Sequence, residues 1–346
     1  MLLFLRYDSS HSTHLFHSIL VLMALQAVTL GIDIGGTNTV LGVVDAQGVC
    51  LAETFLQTRA SEPVELYLPR LYDAIESLYA TVSATCEMKG IGIGAPNGNY
   101  YSGTIEQAAN LNWGDIVYMR QLVHERFGVP VALTNDANAA ALGEMLFGAA
   151  RGMKHFLVVT LGTGLGSGIV VNGDVLYGSD GFAGELGHTI VKENGRMCGC
   201  GRRGCLETYS SASGIRRTMV ELFAERTESS GLRDVSFNAM TAAAISSAAQ
   251  AGDALASAAF ELTGATLGKA LANVIACFSP EAVILFGGLA NAGDLILNPT
   301  RRAMEETTLN IFQGKTRLLL SELMDKNAAV LGASALMWKE LEKLRG

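Results

Sequence analysis

Apolar residues along the chain recur with two periods, and each change of period marks a new element. "VTLGIDIGGTNTVLGVVDAQGVCLAETF" (28–55) alternates or runs together β-branched and apolar positions, broken at Gly35-Gly36 and at the turn from Asp45 to Gly48. That pattern predicts three consecutive strands. "PVELYLPRLYDAIESLYATVSA" carries its apolar residues at helical spacing. "KGIGIGAP" predicts a buried strand ending at Pro96, and "TIEQAANLNW" a strand running into a loop. "GDIVYMRQLVHERFG" predicts a helix closed by Gly128, "VPVALTND" a strand, and "DANAAALGEMLFGAA" a helix opening at Asp136.

A second cycle then begins. "HFLVVTLGTGLGSGIVVNGDVLYG" (155–178) repeats the opening design: apolar strand, Gly/Thr-rich turn, apolar strand. This is the signature of an internal duplication. Helices are expected in "CLETYSSASGIRRTMVELFAER", "MTAAAISSAAQAG" and "ALASAAFELTGATLGKALANVIACF". Strands are expected in "EAVILFGG" and "TRLLLSE", and "NAAVLGASALMWKELEKLRG" closes the chain as a helix. Consecutive strands followed by alternating β and α imply two α/β halves.

Composition sharpens this picture. A chain of 346 residues, 49% hydrophobic and 17% charged, suits two domains with a large core. The expected division puts residues 28–135 and the closing helix 328–346 in one domain, and 136–327 in the other. A net charge of −8 lacks the basic footprint of a nucleic-acid binder, so no such partner is expected. "HLFHSILVLMALQAVTLG" is apolar, but His17 interrupts it and it falls short of the about 20 residues that a membrane span needs. Met23 opens "MALQAVTLGIDIGG", a natural start directly before a strand. Residues 1–22 therefore read as an upstream extension, with residues 1–27 lying ahead of the first domain. A signal or anchor, or an ordered added element, are the alternatives.

Cys50, Cys86 and Cys277 are isolated among apolar residues and are expected to be small buried hydrophobes. Cys198, Cys200 and Cys205 lie within eight residues. Disulfides between such close neighbours would be strained, and a reducing, cytoplasmic location fits better. With His188 ten residues upstream, the three form a Cys₃His set suited to tetrahedral Zn²⁺ with no open position. Gly199, Gly201 and Gly204 would let a short loop (188–205) close around the ion. Redox chemistry is the rival, although it usually uses Cys-x-x-Cys.

"DIGGTN" (33–38) and "LGTGLGSG" (161–168) sit between strands. Glycine lets backbone N–H groups approach an anion, and Thr37 and Thr163 add hydroxyls. Neither is a P-loop or a dinucleotide fingerprint, and tight hairpins also use glycine for steric reasons. The pair of related turns points to a phosphate clamp between two halves. Asp33 is placed to hold hydrated Mg²⁺ there, or alternatively to form a strand-end turn. "FGGLAN" (286–291) is a third glycine turn at a strand end.

Taken together, "GIDIGGTNT", "GIGAPNG", "TNDANAAALGE", "LGTGLGSGIVVNG", "GELGHT" and "CGCGRRGCLE" resemble the ROK family of repressors, open reading frames and sugar kinases, over roughly residues 28–340. The resemblance implies a duplicated actin-like, hexokinase-like (ribonuclease H-like) ATPase fold, with two domains closing on ATP and a sugar. It implies that Asp33, Gly35, Gly36, Thr37, Asn38, Thr163 and Gly164 serve ATP and Mg²⁺, with Gly287 and Gly288 beside the adenosine. It assigns His188, Cys198, Cys200 and Cys205 to structural Zn²⁺, and Glu185, His188 and Glu207 to the sugar. His188 would serve both through its two ring nitrogens. Otherwise Glu185 is a solvated loop acid and Glu207 a helix-start acid favoured by the dipole.

The same resemblance makes Asp136 the catalytic base, with Asn135 on a neighbouring hydroxyl. Taken alone, Asp136 reads as a helix N-cap whose pKa the dipole should lower. Asn110 matches a sugar-contacting Asn, with a turn role as the alternative. The expected reaction is ATP-dependent phosphorylation of the primary hydroxyl of an aldohexose, with glucose first, because "DIGGTNTV" and "PNGNYYSG" look most like the glucokinase branch. N-acetylhexosamine and fructose kinases of the family share the motifs. A sugar-responsive repressor or a silent sugar-binding protein are the non-enzyme readings. A homodimer is expected, with a tetramer as the alternative.

Overall fold

The computed structural model describes residues 25–108, 110–323 and 328–344. The expectations for residues 1–22 lie outside the described residues. The first half runs β1 (Gln26–Ile34), β2 (Asn38–Asp45), β3 (Cys50–Gln57), α1 (Val64–Ala80), β4 (Cys86–Gly94), β5 (Gly98–Asn99), β6 (Thr104–Glu106), β7 (Ile116–Val117), α2 (Met119–Phe127) and β8 (Val131–Thr134). The second runs α3 (Asp136–Phe147), β9 (Phe156–Leu161), β10 (Leu165–Val171), β11 (Asp174–Val175), α4 (Ala212–Glu225), α5 (Ala242–Gln250), α6 (Ala254–Phe278), β12 (Ala282–Phe286), α7 (Asp294–Thr307), β13 (Arg317–Leu320) and α8 (Ala328–Lys343).

The duplication read from the two Gly/Thr turns is present in the topology. One sheet has the order β3-β2-β1-β4-β8 and the other β11-β10-β9-β12-β13. In each, two antiparallel pairings open the sheet and two parallel pairings complete it. Each sheet covers one face with its own apolar cluster, the first against α1 and α2, the second against α4 to α7.

The other faces meet through two helices. α8, from the far end of the chain, packs on β1 and β4, while α3 packs on β9 and β10, and the two helices pack on each other. Missing side chains make this possible. A Cβ at Gly92 would sit 1.8 Å from the Ala333 carbonyl oxygen, and one at Gly31 2.2 Å from that of Val330. A Cβ at Gly332 would lie 2.4 Å from the Ala139 carbonyl oxygen. Backbone therefore touches backbone along the whole seam.

Several sequence expectations are corrected. "GDIV" does not begin a helix: Ile116 and Val117 pair with β6, and α2 starts at Met119. "TIEQ" gives only three strand residues, Thr104–Glu106. "CLET" forms a single 3₁₀ turn, Leu206–Thr208, and the helix proper starts only after the Ser211 cap. Cys86 is buried as expected, but Cys50 and Cys277 are exposed, because each falls on the outer side of its element. All six cysteines are free thiols. No helix among the described residues is long and apolar enough to cross a membrane.

Candidate active site and metal centre

The site forms where element ends from both halves converge. β1 ends in Asp33 and passes into the Gly35–Asn38 turn. That turn is braced from behind: Thr58 donates its backbone N–H to the Thr37 carbonyl at 2.9 Å and its hydroxyl to the Gly35 carbonyl at 2.7 Å. Thr39 ties Thr58 to the Tyr67 hydroxyl. Thr37 and Asn38 remain exposed. Asn110, also exposed, lies against this turn, since a Cβ on Gly36 would meet its Cβ and amide nitrogen at 3.3 Å.

The matching turn in the second half lies between β9 and β10. Gly287, at φ +99°, sits so close that a Cβ would be 3.0 Å from the Leu161 carbonyl, and Leu289 donates its N–H to that carbonyl. The glycine pair after β12 and the β9–β10 turn thus share one edge. A Cβ at Gly162 or Gly288 would meet nothing within 4 Å. Neither of these glycines shows a positive φ, so protein packing does not demand them. Close approach of a ligand gives them a purpose.

Asp136 opens α3, but the cap is the residue before it: Asn135 Oδ1 accepts the Asn138 N–H at 2.7 Å. The N-cap reading of Asp136 is therefore replaced, and its Oδ1 accepts the Ala137 N–H at 2.8 Å. Its pKa expectation is reversed as well. Asp136 is open to water, yet crowded by the cleft walls. Burial holds its carboxyl above the ordinary value, opposed by the Ala137 N–H. Asp33 is pushed up to about 7, first by burial and then by Asp136. Neither carboxylate has an ion-pair partner among the described residues. Two facing carboxylates without a cation are what a divalent ion would relieve, so Asp33 fits the Mg²⁺ role chemically.

Glu185 precedes and His188 ends the 3₁₀ turn Leu186–His188, and Glu207 sits in the turn after Cys205. Burial raises Glu185, His188 lowers it, and Asp136 and Glu207 both act on it. Glu185 thus lies within electrostatic reach of both Asp136 and Glu207. His188 bridges the two chemistries. Its Nδ1 lies 3.7 Å from Cys198 Sγ, and its Nε2 lies 4.0 Å from Glu185 Oε2.

The ligand atoms of His188, Cys198, Cys200 and Cys205 all lie within 4.8 Å of one another, and Cys200 and Cys205 Sγ are 3.7 Å apart. Zn–S bonds of about 2.3 Å in a tetrahedron give edges of about 3.8 Å, so the donor set fits that ion. Cys200 is pushed down to about 6 by hydrogen bonding to Arg202, foremost its backbone N–H, which favours a thiolate at neutral pH. A groove of about 720 Å³ lies behind this loop, between Ile190, α4 and α6. The motif carboxylates do not line it.

Four residues in this region carry structural weight that sequence reasoning missed. Arg196 runs under the metal loop, donating to the Thr208 and Gly214 carbonyls at 2.6 and 3.1 Å and to Glu221 at 2.8 Å, with its guanidinium 4.4 Å from the Tyr209 ring centroid. Nothing in the sequence separates it from its neighbours Arg202 and Arg203. Ser167, buried on β10, donates to the Gly184 carbonyl and accepts the Leu186 N–H, fixing the peptide groups around Glu185. Asn99 donates to the Asp180 carbonyl at 2.8 Å, and Tyr101 donates to that of Gly178, also at 2.8 Å. The first half thereby grips the segment leading to Glu185. Its only sequence signal was the polar run "PNGNYYSG".

With this geometry in view, comparison with known proteins is decisive. The ROK family model matches residues 29–340. The chain belongs to the ROK family. It is 37% identical over 284 residues to a glucokinase of Halalkalibacterium halodurans, covering 81% of this chain and 86% of that one. It is 32% identical to a putative xylose repressor of a Caldicellulosiruptor species, covering 90% of this chain and 78% of the longer repressor. Among solved structures, a ROK-family glucokinase from Streptomyces griseus, in complex with glucose and AMPPNP, superposes with a TM-score of 0.75 at 34% identity, covering 89% of this chain and 98% of that one. This chain has the actin-like ATPase fold of the ROK kinases.

Proposed function

We propose that the protein is an ATP-dependent hexose kinase that phosphorylates the primary 6-hydroxyl of an aldohexose, glucose in the first place. The observation carrying this reading is the convergence of Asp136 with Asp33 on one side and Glu185 on the other. In this reading Asp33 is the nucleotide-side carboxylate, Asp136 the base and Glu185 the sugar-side carboxylate, and Asp136 acts electrostatically on both of the others. The S. griseus structure supports glucose and an ATP analogue as the ligand pair.

In this reading Glu185, His188, Glu207 and Asn135, with Asn110, hold the sugar hydroxyls. Asp136 accepts the proton of the attacking hydroxyl as that oxygen bonds to the γ-phosphorus and the bond to the leaving oxygen breaks. Its raised pKa makes it a better base than an ordinary carboxylate. The two glycine turns, Gly35–Asn38 and Thr163-Gly164, present N–H groups to the phosphates, with Gly287 and Gly288 beside the adenosine. Asp33 holds hydrated Mg²⁺, which neutralises phosphate charge. His188, Cys198, Cys200 and Cys205 hold structural Zn²⁺ and so fix Glu185 and Glu207 before substrate arrives. The domains close around residues 28–135 with α8 and residues 136–327. The setting we infer is a cytoplasmic homodimer.

ATP-dependent turnover across a panel of hexoses and N-acetylhexosamines tests the reading. Fast phosphorylation of glucose supports it. A preference for an amino sugar keeps the chemistry and replaces the substrate. Sugar binding without turnover of any member overturns the enzyme reading in favour of a sugar sensor.

A further inference from the structure

The second glycine turn is gripped from outside its own sheet. Ala212 donates its N–H to the Gly162 carbonyl at 2.9 Å, and Ser213 Oγ donates to the Thr163 carbonyl at 2.6 Å. Glu207 Oε2 accepts the Leu165 N–H at 3.1 Å. Gly164 lies so close to this carboxylate that a Cβ would come within 2.2 Å of Oε2. Glycine at 164 thus admits Glu207, whereas Gly162 faces open space.

The gripping segment begins at a metal ligand. Cys205 directly precedes the turn that carries Glu207, and Glu207 Oε1 accepts from Cys198 Sγ at 3.5 Å. Leu206 donates its N–H to the Thr189 carbonyl at 2.9 Å, next to His188. Cys205 thus bears on Glu207 through Leu206, His188 through Thr189 and Leu206, and in the metal-free chain the Cys198 thiol bears on it directly. The loop between them is rich in glycine and loses more order than most segments when its cross-link is removed.

We propose that Glu207 and Ser213 are positioning residues for the second phosphate turn, and that metal occupancy of the Cys₃His loop and nucleotide affinity are linked through them. The inference rests on the reading of that turn as a nucleotide site. Linkage is reciprocal: if the metal tightens nucleotide binding by some factor, the nucleotide tightens metal binding by the same factor.

The test uses the full chain loaded with Zn²⁺ and AMPPNP as probe, followed by calorimetry. Ser213→Ala should weaken AMPPNP by about three- to tenfold, the scale of one hydrogen bond, with bound zinc still stoichiometric. Ser213→Thr, which keeps the hydroxyl, should restore binding. Chelator-stripped protein should bind AMPPNP at least about fivefold more weakly, and AMPPNP should raise zinc affinity by the same factor in a competition titration. Equal AMPPNP affinity in wild type and Ser213→Ala, or zinc affinity indifferent to AMPPNP, would overturn the proposal. If stripping unfolds the protein, the Ser213 comparison still decides the positioning role, because it leaves the metal in place, and the rate of zinc loss to a chelator with and without AMPPNP decides the linkage. Failure of the zinc-loaded wild type to bind AMPPNP at all would instead remove the nucleotide reading beneath it.

Discussion

Asp33, near the end of β1, and Asp136, the first residue of α3, both lie close to Gly94. A Cβ on that glycine would lie 3.7 Å from Asp33 Oδ1 and 3.9 Å from Asp136 Cα. The same Cβ would meet the Ala139 Cβ at 3.3 Å, so glycine leaves the space beside both acids free. Asp136→Asn preserves shape and removes the proton acceptor. Turnover should fall by about 10²- to 10⁴-fold, with sugar and AMPPNP affinity within a few-fold of wild type by calorimetry.

The pair also dictates a pH response. Asp33 titrates near 7 in the metal-free protein, far above an unfolded aspartate at 3.8. A raised carboxylate contributes stability that is full below the unfolded value and is lost as pH rises through about 7. In the absence of Mg²⁺, wild type should therefore lose thermal stability between pH 4 and pH 7.5, and Asp33→Asn should flatten that loss. At pH 8 the variant should melt a few degrees higher than wild type. Binding of Mg²⁺ with nucleotide should in turn release a proton near pH 7, read as a dependence of calorimetric heat on buffer. No buffer dependence would remove Asp33 from the cation site.

Much of this was legible in the sequence, for reasons that differ by element. The strand–turn–strand repeats around "DIGGTN" and "LGTGLGSG" announce themselves because alternation and glycine are local signals. The identical strand orders of the two sheets follow from them. The Cys₃His set is legible because few other arrangements concentrate three thiols and an imidazole. The pKa of Asp136 was not legible. The dipole argument uses only the helix it starts, whereas the burial that wins is a property of the folded surroundings. Arg196 and Asn99 were missed for the same reason, as their partners lie 12 to 81 positions away. The short strand at Ile116 was missed because two residues carry no periodicity.

The seam between α8 and β4 gives a stability prediction. Gly92→Ala places a methyl group on the Ala333 carbonyl, and neither backbone can move without disturbing its own hydrogen bonds. The cost should reach about 3 kcal/mol, the upper range for overpacking, seen as a lower urea midpoint. Gly128→Ala has no neighbour within 4 Å, so only its φ of +67° opposes the change, and it should cost about 1 kcal/mol.

Arg196 offers a separate check on the metal loop. Its side chain is only 8% exposed, while its partner Glu221 is 54% exposed. Arg196→Met should keep much of the packing on Tyr209 but remove the donor to the Thr208 carbonyl and one of the donors to that of Gly214. The expected destabilisation is roughly 2 kcal/mol, with zinc released to a colorimetric chelator several-fold faster. Unchanged release would show that the loop holds its shape without this arginine.

The helix that covers the first sheet is made long after the sheet itself. Gly31 and Gly92 wait for Val330 and Ala333, some 240 to 300 positions later, before that face is shielded from water. During synthesis the opening half has one side bare until α8 has left the ribosome. Its folding is then completed by α8, and the two halves become committed to each other in the same event.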